Sequence, residues 1–218
     1  MRGIFVTGTD TGIGKTVVSA AMINAFRETE SVCYWKPIQT GIEEDDDTSM
    51  VNQLAMCSDK EIHLAGIRLK RPLSPHLSAR LSGSEISIEK TLAYLGGNIA
   101  NRFWIVEGAG GIQVPINDSE LMIDLIKAIQ LPALIVARSG LGTINHTLLT
   151  LESLRLRGIE IFGVVMNGEQ NLENKKAIEH YGRVSVLAEM PKFEKLNAED
   201  LSRWGRENKI WQSLRKEK

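Results

Sequence analysis

The apolar run Ile4-Phe5-Val6-Thr7 passes without a break into Gly8-Thr9-Asp10-Thr11-Gly12-Ile13-Gly14-Lys15-Thr16, and a helical pattern follows over residues 16–27. No other feature of the chain narrows its fold so far. A strand that ends in a glycine-rich turn and restarts as a helix is the first half of a β-α-β unit, and such units build parallel sheets. Glycines let the N–H groups of the turn point inward, and the helix start adds positive potential, so the loop can cradle phosphate. Lys15 supplies a cation for the β- and γ-phosphates, and the Thr16 hydroxyl is placed to ligate Mg²⁺. The commonest form of this loop has four residues between its first glycine and the Gly-Lys pair. Here Thr9 stands at that glycine's position and Gly8 lies one residue earlier. Gly14, Lys15 and Thr16 keep their places, and the loop predicts binding of a nucleoside triphosphate with Mg²⁺.

Further strands are expected at residues 32–35, 103–106, 133–137 and 161–166, beside the first at 4–7. All are nearly continuous in apolar character, as strands are when helices cover both faces of a parallel sheet. Helical patterns occupy residues 16–27, 48–56, 88–100, 120–130, 143–157 and 171–180; the one over 120–130 is amphipathic. This alternation predicts an α/β fold of the P-loop NTPase kind, with a mostly parallel sheet and ligands at the carboxyl ends of its strands. A chain of 218 residues, 43% hydrophobic, can bury a sizeable core as one domain over residues 1–218. Residues 197–218 differ: they are polar, with Leu201, Trp204, Trp211 and Leu214 at roughly helical spacing. They read as a docked amphipathic helix broken near Gly205, with a partner-binding tail as the alternative.

The net charge of −1 provides no global field for nucleic acid or an anionic membrane. The longest later apolar run, residues 133–137, is too short to span a bilayer. The first residues lack a signal-peptide pattern. Cys33 and Cys57 have no metal-ligand spacing and read as reduced thiols, so a cytoplasmic protein is expected.

A triphosphate site needs carboxylates at other strand ends to hold the metal or its waters. Glu107 follows the strand at 103–106 and precedes Gly108-Ala109-Gly110-Gly111, where a flexible backbone can approach a ligand. Glu43, Glu44, Asp45, Asp46 and Asp47 form an acidic run, most of it expected as a solvated loop. Asp47 directly precedes a helical pattern, so it either caps that helix or faces the Mg²⁺. Lys36-Pro37-Ile38-Gln39-Thr40-Gly41 closes the second strand. Position alone leaves Lys36 equally a surface lysine or an ammonium in the cleft.

Taken together, residues 8–16, Lys36-Pro37-Ile38-Gln39-Thr40-Gly41, Ser74-Pro75-His76, Val106-Glu107-Gly108-Ala109-Gly110-Gly111 and Gly142-Thr143-Ile144-Asn145-His146 resemble the dethiobiotin synthetase family, in that family's order as far as Asn167. The resemblance implies a homodimeric, Mg²⁺-dependent cyclo-ligase of biotin synthesis, with ATP, CO₂ and 7,8-diaminononanoate as substrates. The family's chemistry forms a carbamate on one amine, phosphorylates it from ATP, and closes a cyclic urea with the second amine. By the resemblance Lys36, Lys15 and Thr11 are catalytic, and Lys36 bridges carbamate and γ-phosphate. Gly12, Ile13, Gly14, Lys15, Thr16 and Val17 hold the nucleotide, together with Asp47, Glu107, Gly108, Ala109 and Gly110. Thr16, Asp47 and Glu107 match the metal positions, and Thr11 and Thr40 match hydroxyls near the substrate. Gly142, Thr143 and Asn145, at a helix start suited to a carboxylate, match a segment that comes from the other subunit. Asn167 looks like the base-recognising asparagine, and Met190, Pro191 and Lys192 like the wall of the base site.

Two rival functions share this kind of loop. A partitioning-type regulatory ATPase, working on DNA or membrane, carries an extra lysine early in the loop, where this chain has Asp10. Cobyrinate amidotransferases need a glutaminase domain with a cysteine nucleophile, for which the chain has no room. His63, His76, His146 and His180 are expected in structural or surface roles.

Overall fold

A computed structural model of the chain describes residues 1–96 and 101–208. In chain order its strands are β1 (Arg2–Gly8), β2 (Val32–Trp35), β3 (Ile38–Thr40), β4 (Ile62–His63), β5 (Ile67–Leu69), β6 (Phe103–Gly111), β7 (Ala133–Arg138), β8 (Ile161–Asn167) and β9 (Val186–Met190). The helices are α1 (Lys15–Phe26), α2 (Asp47–Ala55), α3 (Pro75–Leu81), α4 (Ile88–Ala93), α5 (Met122–Ile129), α6 (Thr143–Leu156), α7 (Leu172–Gly182) and α8 (Ala198–Glu207). Seven strands form one sheet in the order β4-β2-β6-β1-β7-β8-β9, and every pairing in it is parallel.

Side chains alternate across this sheet, because successive residues of a strand point to opposite faces. Ile4 and Val6 of β1 join α1, α2 and α8 in one apolar cluster, whereas Phe5 faces the other cluster with α5, α6 and α7. Both faces are therefore covered, which is why the central strands read as unbroken apolar runs. The five expected strands and the expected α/β architecture are all present. Short elements went unread. β3 and β5 pair separately in a two-stranded sheet, β4 and the seven-residue α3 are too brief to show a period of their own, and the edge strand β9 was not read either.

Two local expectations are corrected. β6 does not end at Val106 but continues through Glu107 and the glycines to Gly111, which pairs with Gly8 of β1. Helix α8 does not break at Gly205; it runs on to Glu207. A Cβ at Gly205 would lie 2.9 Å from the Ala21 carbonyl, so the glycine allows α8 to approach the backbone of α1. Leu201 and Trp204 of α8 are buried in the cluster below α1, as the docked-helix reading expects. The helix expected over 88–100 is shorter, ending at Ala93 as α4; residues 97–100, like Trp211 and Leu214, lie outside the described residues.

At the sheet's centre the order β2-β6-β1-β7 brings together the loop after β1, Glu107 within β6 and Lys36 after β2. The register sets Val6 opposite Glu107 and Trp35 opposite Val106. Replacing Leu201, which is fully buried, tests the packing of α8. Leu201→Ala should lower the unfolding free energy by about 2–5 kcal/mol, measured by urea denaturation. A change within about 0.5 kcal/mol, usual for surface sites, would show that α8 is an undocked tail.

Candidate functional site

The loop at residues 8–16 wraps the start of α1. Gly14 stands at the N-cap with φ 95°, and a Cβ there would meet the Asn167 amide at 2.0 Å. Glycine is needed on both counts. Beside the loop opens a cleft of about 700 Å³ bordered by Thr11, Gly12, Gly14, Lys15, Thr16, Val17, Lys36, Thr40, Asp47, Glu107, Ala109 and Gly110, among others. Twelve of the residues singled out by sequence thus meet at one cavity, although their positions are scattered along the chain.

The floor of the cleft is a buried polar cluster. The Lys36 ammonium lies 2.6 Å from Asp47 Oδ2 and 2.7 Å from Glu107 Oε1, and it donates to the Gly108 carbonyl at 3.1 Å. The Thr16 hydroxyl bonds Asp47 Oδ1 at 2.7 Å and Glu107 Oε1 at 3.1 Å. Glu107 is 0% exposed, so each of its oxygens must find a protein partner. Oε2 accepts from Ser19 at 2.9 Å and from Tyr34 at 3.1 Å. These last two partners were missed by sequence reasoning. The one available signal was Tyr34 itself, a phenol inside a continuous apolar strand, because a buried Tyr hydroxyl needs a partner.

The two lysines respond to this cluster in opposite directions. Burial pushes the Lys15 pKa down to about 8, and Lys36 adds repulsion that the nearby carboxylates only partly offset. Burial also opposes charge on Lys36, but Glu107 and Asp47 outweigh it and hold its pKa above the usual lysine value. At Asp47 burial works against the charge, yet Lys36 prevails and holds the pKa below the usual carboxylate range. The Tyr34 phenol is pushed well up by burial and by Glu107. Lys15 donates to the Asp10 carbonyl at 2.9 Å, and the Asp10 carboxylate pairs with Arg138 at the end of β7.

The cap of α2 falls one residue earlier than Asp47. Asp46 is the N-cap of α2, accepting from the Thr48 and Ser49 amides, and Asp47 is thereby left to face Lys36 and Thr16. Thr16, Asp47 and Glu107 offer hard oxygen donors around one point, a set suited to Mg²⁺ completed by phosphate and water. Among the described residues no group of three or more His, Cys, Asp or Glu could hold a metal, so this mixed set is the candidate.

Other expected residues lie apart from the cleft. Asn167 donates from Nδ2 to the Ile13 carbonyl at 2.8 Å, behind the loop. Met190 is paired beside it and buried, while Pro191 and Lys192 are exposed. Gly142 and Asn145 are exposed at the start of α6, whereas the Thr143 side chain is buried. None of these three borders the 700 Å³ cleft. Among the described residues no helix is long and apolar enough to cross a membrane.

Known proteins resemble this chain at two levels. A family model described as an AAA domain matches residues 2–200. The ATP-dependent dethiobiotin synthetase of Paramagnetospirillum magneticum is 53% identical over 190 residues, covering 87% of this chain and 88% of that protein. The one from Brucella ovis is 46% identical over 198 residues, covering 91% of this chain and 90% of its own. Among solved structures, the MinC:MinD cell division protein complex of Aquifex aeolicus aligns with a TM-score of 0.61 at 15% identity, over 100% of this chain and 97% of that one. At that identity the likeness shows a shared P-loop fold and says nothing of function.

Two measurements follow from the cluster and the loop. Tyr34→Phe removes one hydrogen bond to Glu107 at almost constant volume, and should cost about 1–3 kcal/mol of stability with an unchanged circular dichroism spectrum. No loss would mean that the phenol does not hold the carboxylate. The second concerns Lys15. Above pH 8 its amine is largely neutral in the free protein, whereas a bound triphosphate favours the charged form, so binding takes up a proton and affinity falls as pH rises. Calorimetric titration with ATP in buffers of different ionisation enthalpy should show proton uptake at pH 9 that shrinks towards pH 7. Uptake that is independent of pH, or unchanged in Lys15→Met, would separate Lys15 from the phosphates.

Proposed function

The chain belongs to the dethiobiotin synthetase family, and from that premise we propose that it is an ATP-dependent cyclo-ligase converting 7,8-diaminononanoate and CO₂ to dethiobiotin, ADP and phosphate. The observation that carries this reading is the convergence of Lys36, Asp47, Glu107 and Thr16 beside the Lys15 loop. Phosphoryl transfer to a carbamate gathers several negative charges, and two ammonium groups with a metal site answer that requirement.

One amine of the substrate adds to CO₂ and loses a proton, giving a carbamate. A carbamate oxygen then attacks the γ-phosphorus as the bond to the ADP oxygen breaks. The second amine attacks the carbamoyl carbon, the C–O bond breaks to release phosphate, and loss of a proton leaves the cyclic urea. Lys15 and the loop amides hold the phosphates; Lys36 stabilises charge between carbamate and γ-phosphate; Thr11 and Thr40, at the cleft wall, orient the substrate. Thr16, Asp47 and Glu107 would hold Mg²⁺, which when bound neutralises β- and γ-phosphate charge. Asn167 and the segment Met190-Pro191-Lys192 are proposed for the base.

Gly142 and Asn145 at the start of α6 are solvent-facing and outside the chain's own cleft, which supports a homodimer in which they bind the substrate carboxylate of the other subunit, although Thr143 between them is buried. The chain is read as one domain acting in the cytoplasm.

Purified protein supplied with the diamine, CO₂, ATP and Mg²⁺ should form dethiobiotin, detected by mass spectrometry, with little ATP hydrolysis when the diamine is omitted. Lys36→Gln should slow turnover by roughly 10²–10³-fold, the scale of losing one preorganised donor, and should affect ATP affinity less. Full-rate ATP hydrolysis without the diamine, and no dethiobiotin, would refute the assignment.

A further inference from the structure

An ammonium has three N–H donors and no more. All three of Lys36 are occupied, by Asp47 Oδ2, Glu107 Oε1 and the Gly108 carbonyl. Held in this way, Lys36 has no donor left for a carbamate or a phosphate. Two of its partners are also the carboxylates that, with Thr16, make the candidate metal site. Lys36 Nζ and Thr16 Oγ1 even share one atom, Glu107 Oε1, at 2.7 and 3.1 Å. A divalent ion drawn to the same oxygens would stand a few ångströms from the lysine, and like charges at that range repel strongly where water is scarce.

We propose that Lys36 and the divalent ion compete for one carboxylate pair, so that filling the site at Asp47 and Glu107 releases the Lys36 ammonium into the cleft. The lysine then reaches the reacting oxygens only once metal and nucleotide are in place. Until then it satisfies the part-buried Asp47 and the fully buried Glu107, whose carboxylate would be costly to leave without a cation. Glu107 itself does not need to move, because Ser19 and Tyr34 hold its other oxygen. The exchange is confined to the Lys36 side chain. This inference rests on the metal-assisted ligase reading given above for the role of the released lysine, but the competition itself is a property of the protein alone.

Mn²⁺, with no nucleotide present, is the probe, and its binding is read by electron paramagnetic resonance. Lys36→Met removes the competitor, so Mn²⁺ should bind the variant at least about tenfold more tightly than wild type. Adding Glu107→Gln to that variant should abolish the gain, and Lys36→Arg, which keeps the charge, should not show it. Lys36→Gln provides a second uncharged variant. If either uncharged variant is unfolded in buffer alone, Mn²⁺ should restore its circular dichroism spectrum, and failure to do so counts against the exchange. Equal or weaker Mn²⁺ binding in Lys36→Met, or a gain that survives Glu107→Gln, would overturn the proposal. Dethiobiotin formation by the wild-type protein is scored separately. Product with no gain in Mn²⁺ affinity rejects the exchange alone, and a gain without product rejects the ligase reading alone.

Discussion

Glu107 sits at the centre of the sheet with no contact with solvent, and the placing of four other side chains follows from that. Its two oxygens receive Thr16 and Ser19 from the first turns of α1, Tyr34 from β2, and Lys36 from the segment after β2. A buried carboxylate stripped of its cation costs about 3–5 kcal/mol, so this set cannot be loosened piecemeal. The cluster therefore joins the start of the phosphate loop's helix to two neighbouring strands, and it fixes where the cleft lies. Asp47 completes it from α2, whose first turn is aimed by the Asp46 cap.

The same cluster gives the two lysines of the cleft different characters. Lys15, largely cut off from water and repelled by Lys36, holds its proton loosely; Lys36, between two carboxylates, holds its proton tightly. A triphosphate would supply to Lys15 the negative charge that it lacks. One residue type thus binds its proton differently at two places in one cavity because its neighbours differ, and not because of any property visible at the residue itself.

Much of the fold was legible because burial on both faces leaves a plain mark, the continuous apolar strand. The loop was legible for a related reason: Gly14 is demanded by its backbone and by the Asn167 amide at once. Glu107 could be found as the carboxylate that follows such an apolar run, whereas position alone left Lys36 open and only the family resemblance put it in the cleft. Ser19 and Tyr34 could not be assigned, since their partner lies 88 and 73 residues away and only the strand order brings it near. The assignment at Asp46 and Asp47 needed the helix start to a single residue, which patterning does not give. Gly205 misled because a glycine in a helix usually weakens it, whereas here it admits close packing on α1. The membership of a family sharpened the chemistry, but the geometry added what the motifs did not contain, namely that all three donors of Lys36 are already engaged.

In the proposed reaction this cleft transfers the γ-phosphoryl group to a carbamate oxygen derived from CO₂. Single-turnover reaction with oxygen-labelled CO₂, followed by mass spectrometry of the released phosphate, addresses it directly. Attack by the carbamate and later cleavage of the C–O bond predict one labelled oxygen in each phosphate and label retained in the urea carbonyl. Phosphate that carries oxygen only from ATP and water would contradict the account, because ATP would then be hydrolysed without ever activating the carbamate.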